Sequence, residues 1–232
     1  MPTPPPLLFT SNWSIYQKAI RSNYMLHKEF GEMAEAAILS RKMNTPLTML
    51  DVGCGDAGPI REMLSKANLN SYTGYDLSET ALTLCRENLE GLFSKIRLCQ
   101  GNMEDLIGIE QEHFSLIYSS YAIHHLSDES KKALLQQIAA HLNHGGLFIF
   151  IDIYRGKGIS RDEYISSYTN WINDSWLGFT PEEKSLIREH IENFDFPANE
   201  NEIMNWCLNA GMALLSENLQ DPRHFCRIYE KK

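Results

Sequence analysis

The stretch that decides the fold is Met49-Leu50-Asp51-Val52-Gly53-Cys54-Gly55-Asp56-Ala57-Gly58. Residues 47–52 are mostly apolar and predict a short buried strand, and a helical pattern resumes at Ile60. Gly53 and Gly55 predict a tight turn between strand and helix, and without side chains they let a ligand approach the backbone closely. The helix that follows presents unpaired N–H groups and the positive end of its dipole. This arrangement predicts a site for a nucleotide-type cofactor.

The glycine spacing alone leaves two kinds of cofactor open. Gly53, Gly55 and Gly58 satisfy the G-x-G-x-x-G pattern of dinucleotide sites, so an NAD(P)-dependent oxidoreductase is one alternative. Asp51 argues against it, because a dinucleotide would bring a pyrophosphate close to this carboxylate. At about 4 Å and an effective dielectric constant of about 20, each phosphate charge would cost roughly 4 kcal/mol. A zwitterionic cofactor with a sulfonium and an ammonium group avoids this repulsion.

An acid followed by Gly53-x-Gly55 at the end of the first strand resembles the first motif of the class I S-adenosylmethionine (SAM) dependent methyltransferases. The resemblance implies SAM as cofactor and S-adenosyl-L-homocysteine as its product. It also implies an α/β fold, a doubly wound, seven-stranded and mostly parallel sheet of order 3-2-1-4-5-7-6. Ala57 departs from the family, which often has a third glycine there; because Gly58 follows, we expect the turn to be shifted by one residue.

The next two strands extend the resemblance. Residues 71–75 predict a strand that ends in Asp76-Leu77-Ser78, and an acid at this strand end holds both ribose hydroxyls in the family. A carboxylate can accept from two neighbouring hydroxyls, and Ser78 can cap the following helix. Residues 96–99 predict a third strand, after which Asn102 stands where the family usually has the acid that binds the adenine amino group. Met103 would lie beside the adenine ring, or alternatively fill core space.

Residues 114–119 and 147–151 predict a fourth and a fifth strand, and Gly145-Gly146 predict the end of the helix before the fifth strand. The ends of these two strands carry the catalytic candidates. The resemblance implies cofactor contacts for Ser119 and Ser120 and a place near the transferred methyl group for His125, with His124 ranked second. Histidine titrates near neutral pH and suits a general base, although a packed histidine under the loop is the alternative. Asp152 can orient a substrate or cap a helix. We expect no metal site, because His124 and His125 are sequence neighbours and are not spaced to share one helix face.

The chain divides into four predicted segments. Residues 1–45 form an N-terminal tail and helical cap, and residues 46–153 form the Rossmann-like core. An aromatic-rich insertion at 154–199 predicts a helical lid, with helix starts at Ser160 and Thr180, and residues 200–232 predict a helix and hairpin that complete the sheet. In the cap, Tyr16 and His27 are further catalytic candidates after His125 and Asp152, although either can be plain packing.

Composition limits the partners. The formal charge of −9 and the lack of a basic stripe disfavour a nucleic-acid substrate, so a tRNA methyltransferase is an alternative that we rank lower. An odd number of cysteines, five, favours a reducing compartment, and no apolar run predicts a membrane span, so we expect a cytoplasmic protein. We therefore predict a monomeric or homodimeric methyltransferase of a small, partly apolar molecule; a catalytically silent SAM-binding protein is the remaining alternative.

Overall fold

The computed structural model describes residues 13–41, 46–106, 109 and 111–232. The predicted tail over residues 1–12 lies outside the described residues. A seven-stranded sheet has the order β3-β2-β1-β4-β5-β7-β6, which confirms the predicted order and fold class. Its strands are β1 (Leu47–Val52), β2 (Leu69–Asp76), β3 (Ile96–Gln100), β4 (Phe114–Ser120), β5 (Leu142–Ile153), β6 (Met212–Asn218) and β7 (His224–Lys231). β7 pairs antiparallel with both neighbours, and the pairs among β1–β5 are parallel.

Helices cover both faces of this sheet. They are α1 (Trp13–Arg21), α2 (His27–Ser40), α3 (Arg61–Lys66), α4 (Glu79–Leu89), α5 (Asp128–His141), α6 (Arg161–Ser175), α7 (Pro181–Phe194) and α8 (Glu200–Asn209), with 3-10 turns at Gly58–Ile60 and Ile123–His125. In the part of the chain that the structure describes, no helix has the length and apolar character that a bilayer crossing requires.

The apolar run of β5 shows why both faces must be covered. Ile149 and Ile151 belong to the core on the face packed by α2, α6 and α7, whereas Phe148 and Phe150 belong to the core on the opposite face. Successive side chains of a strand point to opposite faces, so a continuous apolar run has two buried faces. Burying each such side chain contributes about 1.5–3 kcal/mol. Polar residues begin next to the carboxyl ends of the strands, at Asp51 in β1 and Asp152 in β5, although the adjoining Val52 and Ile153 still belong to the cores.

The helix starts predicted at Ser160 and Thr180 are confirmed. Each hydroxyl accepts from a backbone N–H three residues later, and Glu163 and Glu183 return the bond to the cap residue's own N–H. These capping boxes satisfy donors that a helix end would otherwise leave unpaired. They fix the residues at which α6 and α7, the two lid helices, begin.

Two sequence expectations need correction. The turn is not shifted to Gly58: Ala57 itself has the left-handed φ of 50°, and Gly58 begins the 3-10 turn. Gly145-Gly146 do not mark the end of the preceding helix, because α5 ends at His141. They lie inside β5, where the pairing with β4 shifts register between Phe114↔Leu142 and Leu116↔Leu147, and the extra residues include Gly145 with φ 72°.

Candidate active site

The glycine turn is fixed to the neighbouring strand by its backbone. The N–H groups of Gly53 and Cys54 both donate to the Tyr75 carbonyl, at 2.8 and 3.1 Å. Gly53 has φ 73°, and a Cβ there would lie 2.3 Å from the Cβ of Ala122. A larger residue would therefore be strained and would collide with the loop after β4. The turn brings the ends of β1, β2 and β4 within contact distance of each other.

Asp51 lies at the end of β1 and is 2% exposed. Its Oδ2 accepts a 2.7 Å hydrogen bond from the Tyr72 hydroxyl. Burial raises the pKa of Asp51 to about 7, although the hydrogen bond from Tyr72 lowers it. The carboxylate is therefore balanced between its two protonation states near neutral pH, and a nearby cation would favour the charged state.

Asp76 closes the same side of the turn from the end of β2. Its Oδ2 accepts from the Gly55 N–H and its Oδ1 from the Ser78 N–H, each at 2.8 Å. Burial raises the pKa of Asp76, and these two backbone bonds partly offset that rise. Next to it, Leu77 is 39% exposed. A carboxylate with an apolar neighbour suits a ribose and the base attached to it.

The end of β3 differs from the expected adenine contact. The Asn102 Nδ2 donates to Glu104 at 2.6 Å, and its Oδ1 accepts from the Glu104 N–H at 3.1 Å, so the amide is used within its own turn. Met103 lies closer to the glycine turn, with Cε 3.7 Å from the place that a Gly53 Cβ would take. The Oδ1 of Asn102 has a second acceptor position, so the predicted contact with an adenine amino group stays a prediction. Met103 lies beside the glycine turn, and its contact with the adenine ring likewise stays a prediction.

Ser119 and Ser120 face different surroundings. The Ser119 hydroxyl is fully buried and donates to the Val52 carbonyl at 2.8 Å, which ties β4 to β1. Ser120, the next residue, lines the cavity at the glycine turn. Neighbouring strand residues point to opposite faces, so the two serines cannot both face one ligand.

The N-terminal helix α1 covers the glycine turn. The indole N–H of Trp13 and the side-chain amide of Gln17 both donate to Asp56 Oδ2, at 3.1 and 3.0 Å. Asp56 Oδ1 accepts from the Gly58 N–H at 2.9 Å. Asp56 belongs to the glycine motif, but the sequence predicts no role for it. It anchors the cap to the turn.

Two cavities meet under this cap. We name the first the turn cavity; it is lined by Tyr16, His27, Gly31, Asp51, Gly53, Cys54, Gly55, Asp56, Ala57, Pro59, Ile60, Tyr118, Ser120 and Ile151, and with the part that is open to solvent its space is about 570 Å³. We name the second the lid cavity; it is lined by Ile15, Tyr16, Ala19, Met25, Tyr121, His124, His125, Ile153, Tyr168, Trp176, Ile187, His190, Ile191 and Asp195, and with the part that is open to solvent its space is about 560 Å³. Tyr16 lines both, so a molecule in one cavity lies next to a molecule in the other.

The phenol of Tyr16 reports the charge of this region. Burial raises its pKa well above the usual value, and the carboxylates of Asp56, Asp76, Asp152 and Asp51 raise it further. Tyr16 is therefore neutral at physiological pH. Its hydroxyl can donate a hydrogen bond, but it is not present as a phenolate that could act as a base. Four carboxylates around one hydroxyl make this part of the protein attractive to a cation and repulsive to a phosphate.

His124 is held between two carboxylates. Its Nδ1 lies 2.5 Å from Asp152 Oδ1, its backbone N–H donates to Asp152 Oδ2 at 3.0 Å, and its Nε2 lies 3.5 Å from Asp195 Oδ1. Burial alone would lower the pKa of His124, but Asp152 and Asp195 outweigh it and raise the pKa to about 10. The histidine that sequence reasoning ranked second is thus the one paired with Asp152, and Asp152 is 1% exposed.

His125 and His27, the other predicted histidines, are in separate cavities. The Nδ1 of His125 lies 3.0 Å from the Phe194 carbonyl and 3.4 Å from Asp195 Oδ1 in the lid cavity. His27 lines the turn cavity and its ring lies 4.7 Å from that of Tyr121. Burial and, to a lesser extent, His224 lower the pKa of His27 to about 3, so His27 is neutral. Of the four catalytic candidates, His125 and Asp152 meet around His124, and Tyr16 lies between the cavities.

His190 and Asp195 complete the polar end of the lid cavity and were not predicted. His190 is on α7 and Asp195 immediately follows that helix, more than 60 residues after His125. Burial would raise the pKa of Asp195, but His124 and His125 lower it well below its usual range. No local spacing rule links these residues to the loop after β4. A carboxylate and a histidine at the end of an aromatic-rich insertion are the signal that sequence reasoning had available.

Known proteins support the fold and the core domain. Residues 49–146 match a family described as a methyltransferase domain. A carboxy-S-adenosyl-L-methionine synthase of Campylobacter fetus is 25% identical over 176 residues, which cover 75% of this chain and 73% of the relative. A S-adenosylmethionine-dependent methyltransferase of Clostridium acetobutylicum superposes with a TM-score of 0.66 at 15% identity, over 96% of this chain and 98% of the other. Magnesium protoporphyrin IX methyltransferase of Synechocystis, solved with S-adenosylhomocysteine (SAH), gives 0.67 at 13% identity, over 97% of both chains.

Proposed function

The chain carries a methyltransferase domain on the class I Rossmann-like fold of the SAM-dependent methyltransferases, and from this premise we propose that it transfers a methyl group from SAM to a small, partly apolar molecule. The family match and the sheet order support the reaction class. The acceptor is inferred from the cavity that adjoins the cofactor site. Residues 13–41 and 154–199 act in this proposal as a cap and a lid over both ligands.

The turn cavity, together with the ends of β2 and β3 beside the glycine turn, suits the cofactor. Asp76 would accept from the ribose hydroxyls, Leu77 and Met103 would contact the adenine, and the open backbone at Gly53 and Gly55 would admit the chain that carries the sulfur. The carboxylates around Tyr16 would attract the sulfonium and the ammonium groups. A dinucleotide would instead place two phosphates in this negative region, which argues against an oxidoreductase.

The observation that carries the proposed acceptor is the lid cavity. Its walls are aliphatic and aromatic side chains from α1, α6, α7 and the segment between the two lid helices, whereas one end is formed by three histidines and Asp195. A molecule that fits would have an apolar body and a polar group at that end. Because Tyr16 lines both cavities, this polar group would approach the methyl group of a cofactor bound at the glycine turn.

The residues of the site would act mainly by position. SAM brings an activated methyl group, so the protein must hold the acceptor atom in line with the carbon–sulfur bond, which can contribute on the order of 7 to 11 kcal/mol. An acceptor with an ionisable proton needs a base, and His125 is the histidine at the polar end that is not enclosed by two carboxylates. Asp152 would orient His124, and the neutral Tyr16 would donate a hydrogen bond to the acceptor or the cofactor.

The relatives named carboxy-S-adenosyl-L-methionine synthase support a second candidate, namely formation of a carboxylated cofactor. Such a product carries an additional carboxylate next to the sulfur, and binding it would call for a cationic side chain. Among the described residues that line the two cavities there is no lysine or arginine. The cation of His124 is already balanced by Asp152 and Asp195. We therefore rank methyl transfer first.

One experiment separates these candidates. Purified protein would be incubated with SAM bearing a labelled methyl group and a panel of phenols, thiols, amines and carboxylic acids, and products would be identified by mass spectrometry. Methyl transfer predicts SAH together with a methylated acceptor that contains the label. A carboxylated cofactor without SAH would favour the second candidate, and SAM binding without any product would favour a catalytically silent binding protein.

A further inference from the structure

Three imidazole nitrogens surround one carboxylate oxygen at the polar end of the lid cavity. Asp195 Oδ1 lies 3.5 Å from His124 Nε2, 3.4 Å from His125 Nδ1 and 3.5 Å from His190 Nε2. The Asp195 side chain is 7% exposed, and its Oδ1 is buried without a hydrogen bond of ordinary geometry. Ligand atoms of His124, His125 and Asp195 all lie within 4.8 Å of one another.

These spacings are close to those of ligands around a shared ion. When four ligands surround a zinc ion at about 2.0–2.1 Å, tetrahedral geometry places neighbouring ligand atoms about 3.3–3.4 Å apart. The distances around Asp195 Oδ1 are within about 0.2 Å of that value, and they exceed the length of a good hydrogen bond between the same atoms. The three nitrogen–oxygen distances are thus longer than hydrogen-bonded ion pairs between the same groups would have.

We propose that His124, His125 and Asp195 bind one divalent transition-metal ion of the zinc type at the end of the lid cavity. Two imidazoles and one carboxylate leave a coordination position towards the cavity, with His190 beside Asp195 as a further nitrogen in reach. Binding of the ion does not depend on the proposed methyl transfer. The role that we give to the ion does rest on the proposed function, because the polar atom of the acceptor would take the open position.

The surroundings of His124 support this assignment. Its Nδ1 is held by Asp152 at 2.5 Å, which directs Nε2 towards Asp195. A carboxylate that orients a ligating histidine through its other nitrogen is common at zinc sites. Asp152 and Asp195 together provide two negative charges, so a divalent ion in place of the proton on His124 would neutralise the buried group.

As a metal ligand, His125 would exchange one contact for another and would not act as the base; the ion would polarise the acceptor atom instead. Its Nδ1 lies 3.0 Å from the Phe194 carbonyl, and binding a metal through this nitrogen would replace that hydrogen bond. The sequence predicts no metal here, because His124 and His125 are neighbours in the chain. The fold changes that argument, since the 3-10 turn Ile123–His125 and the end of α7 bring the third ligand from 70 residues away.

The competing explanation is a network of ion pairs that fastens the lid to the core without a metal. Tag-free protein would be dialysed against a chelator and titrated with Co²⁺, while visible absorption and elemental analysis follow the binding. The proposal predicts one Co²⁺ per chain with the intense absorption of a low-coordinate site. We expect His125→Asn and Asp195→Asn to weaken Co²⁺ binding at least about tenfold. His144→Asn, which alters an exposed histidine on β5, is the matched control and should bind Co²⁺ like the wild type.

No stoichiometric Co²⁺ uptake by the wild type, or equal uptake by wild type and both ligand variants, would overturn the proposal. Should the variants fail to fold, pulsed electron paramagnetic resonance of the Cu²⁺-loaded wild type decides the matter: coupling to two or more imidazole nitrogens supports the site, and its absence refutes it. Calorimetric titration of the same preparation with SAH tests the cofactor site separately. A protein that binds SAH and no Co²⁺ would refute the metal site alone, and the reverse result would refute the proposed function alone.

Discussion

Tyr72 on β2 donates a 2.7 Å hydrogen bond to Asp51 on β1, and both side chains are almost completely buried. The bond favours the charged carboxylate, whereas burial disfavours it, and the pKa of Asp51 rises to about 7 as a result. Tyr72 therefore sets how much of Asp51 is charged near neutral pH. Tyr72, which lies outside the turn cavity, thus controls the charge of Asp51, which lines it.

We expect SAM to bind more tightly as pH rises through 7. A cationic cofactor favours ionised Asp51, so affinity should be up to about tenfold lower at pH 6 than at pH 8 and level off above that range. Tyr72→Phe removes the hydrogen bond that lowers the pKa of Asp51, and the midpoint should move to higher pH. Calorimetric titrations with SAM between pH 6 and 9 measure both effects.

Asp51→Asn is the control for this prediction. It cannot ionise, so its SAM affinity should be lower than that of the wild type at pH 8 and should lose the step near pH 7. An unchanged step in Asp51→Asn would mean that another group is responsible. A midpoint in Tyr72→Phe equal to that of the wild type would show that the hydrogen bond has no influence on Asp51.

The second prediction concerns the close approach at the glycine turn. Gly53 and Gly145 have nearly the same φ, 73° and 72°, but a Cβ at Gly53 would meet Ala122 at 2.3 Å and a Cβ at Gly145 would meet nothing within 4 Å. Both substitutions to alanine have the backbone strain of about 1 kcal/mol, and Gly53→Ala adds an overlap that typically costs about 1–3 kcal/mol. The free energies of unfolding of the two variants in urea separate the cost of backbone strain from the cost of the overlap with Ala122. Equal losses of stability would show that the loop after β4 moves aside freely.

The helix caps could be predicted because their signals are local, whereas the sheet order followed from the resemblance of the glycine motif to a known family. Ser160 and Thr180 each stand three residues before a glutamate, and the strand at 47–52 ends at a glycine turn. The start of β5 was placed wrongly because a glycine pair after a helix normally marks its end. Here the pairing with β4 extends past Gly145, and a contact with a strand some 30 residues earlier has no local signal.

The site was harder to predict than the fold, because its residues meet only in three dimensions. Asp51 and Asp76 lie at the carboxyl ends of two strands that the implied sheet order places side by side, so their proximity could be predicted. Asp195 and His190 come from an insertion whose docking depends on contacts between its own helices and the cap. Serine positions in a strand depend on which face each residue takes, and a shift of one residue sends Ser119 into the core and Ser120 into the cavity.

A third prediction concerns the cap. Trp13→Phe removes the indole hydrogen bond to Asp56, together with the outer ring atoms that lie 3.4 and 3.8 Å from the place that a Gly55 Cβ would take. Loss of a bond to a charged group typically costs about 1.5–3 kcal/mol, so α1 should open more often and cofactor should dissociate roughly 10-fold faster or more. Stopped-flow displacement of a fluorescent SAH analogue gives this rate. Ser22→Ala, at an exposed position after α1, should leave this rate unchanged. Equal rates for Trp13→Phe and wild type would show that the hydrogen bond between the cap and Asp56 does not limit cofactor release.

His27 should make the protein less stable in acid. Its pKa is lowered to about 3 by burial and by His224, whereas in the unfolded chain it is near 6.5. Between these values the unfolded state binds a proton that the folded state does not, so the free energy of unfolding falls as pH decreases below about 6.5. At pH 5 the loss of stability assigned to His27 is up to about 2 kcal/mol, and it disappears above pH 7.

His27→Phe and His27→Asn both abolish this titration while they differ in packing against Tyr121. Both variants should therefore lose less stability than the wild type between pH 7 and pH 5 in urea unfolding, whatever their stability at pH 7. Parallel curves for wild type and both variants would mean that His27 accepts its proton in the folded state as readily as in the unfolded chain.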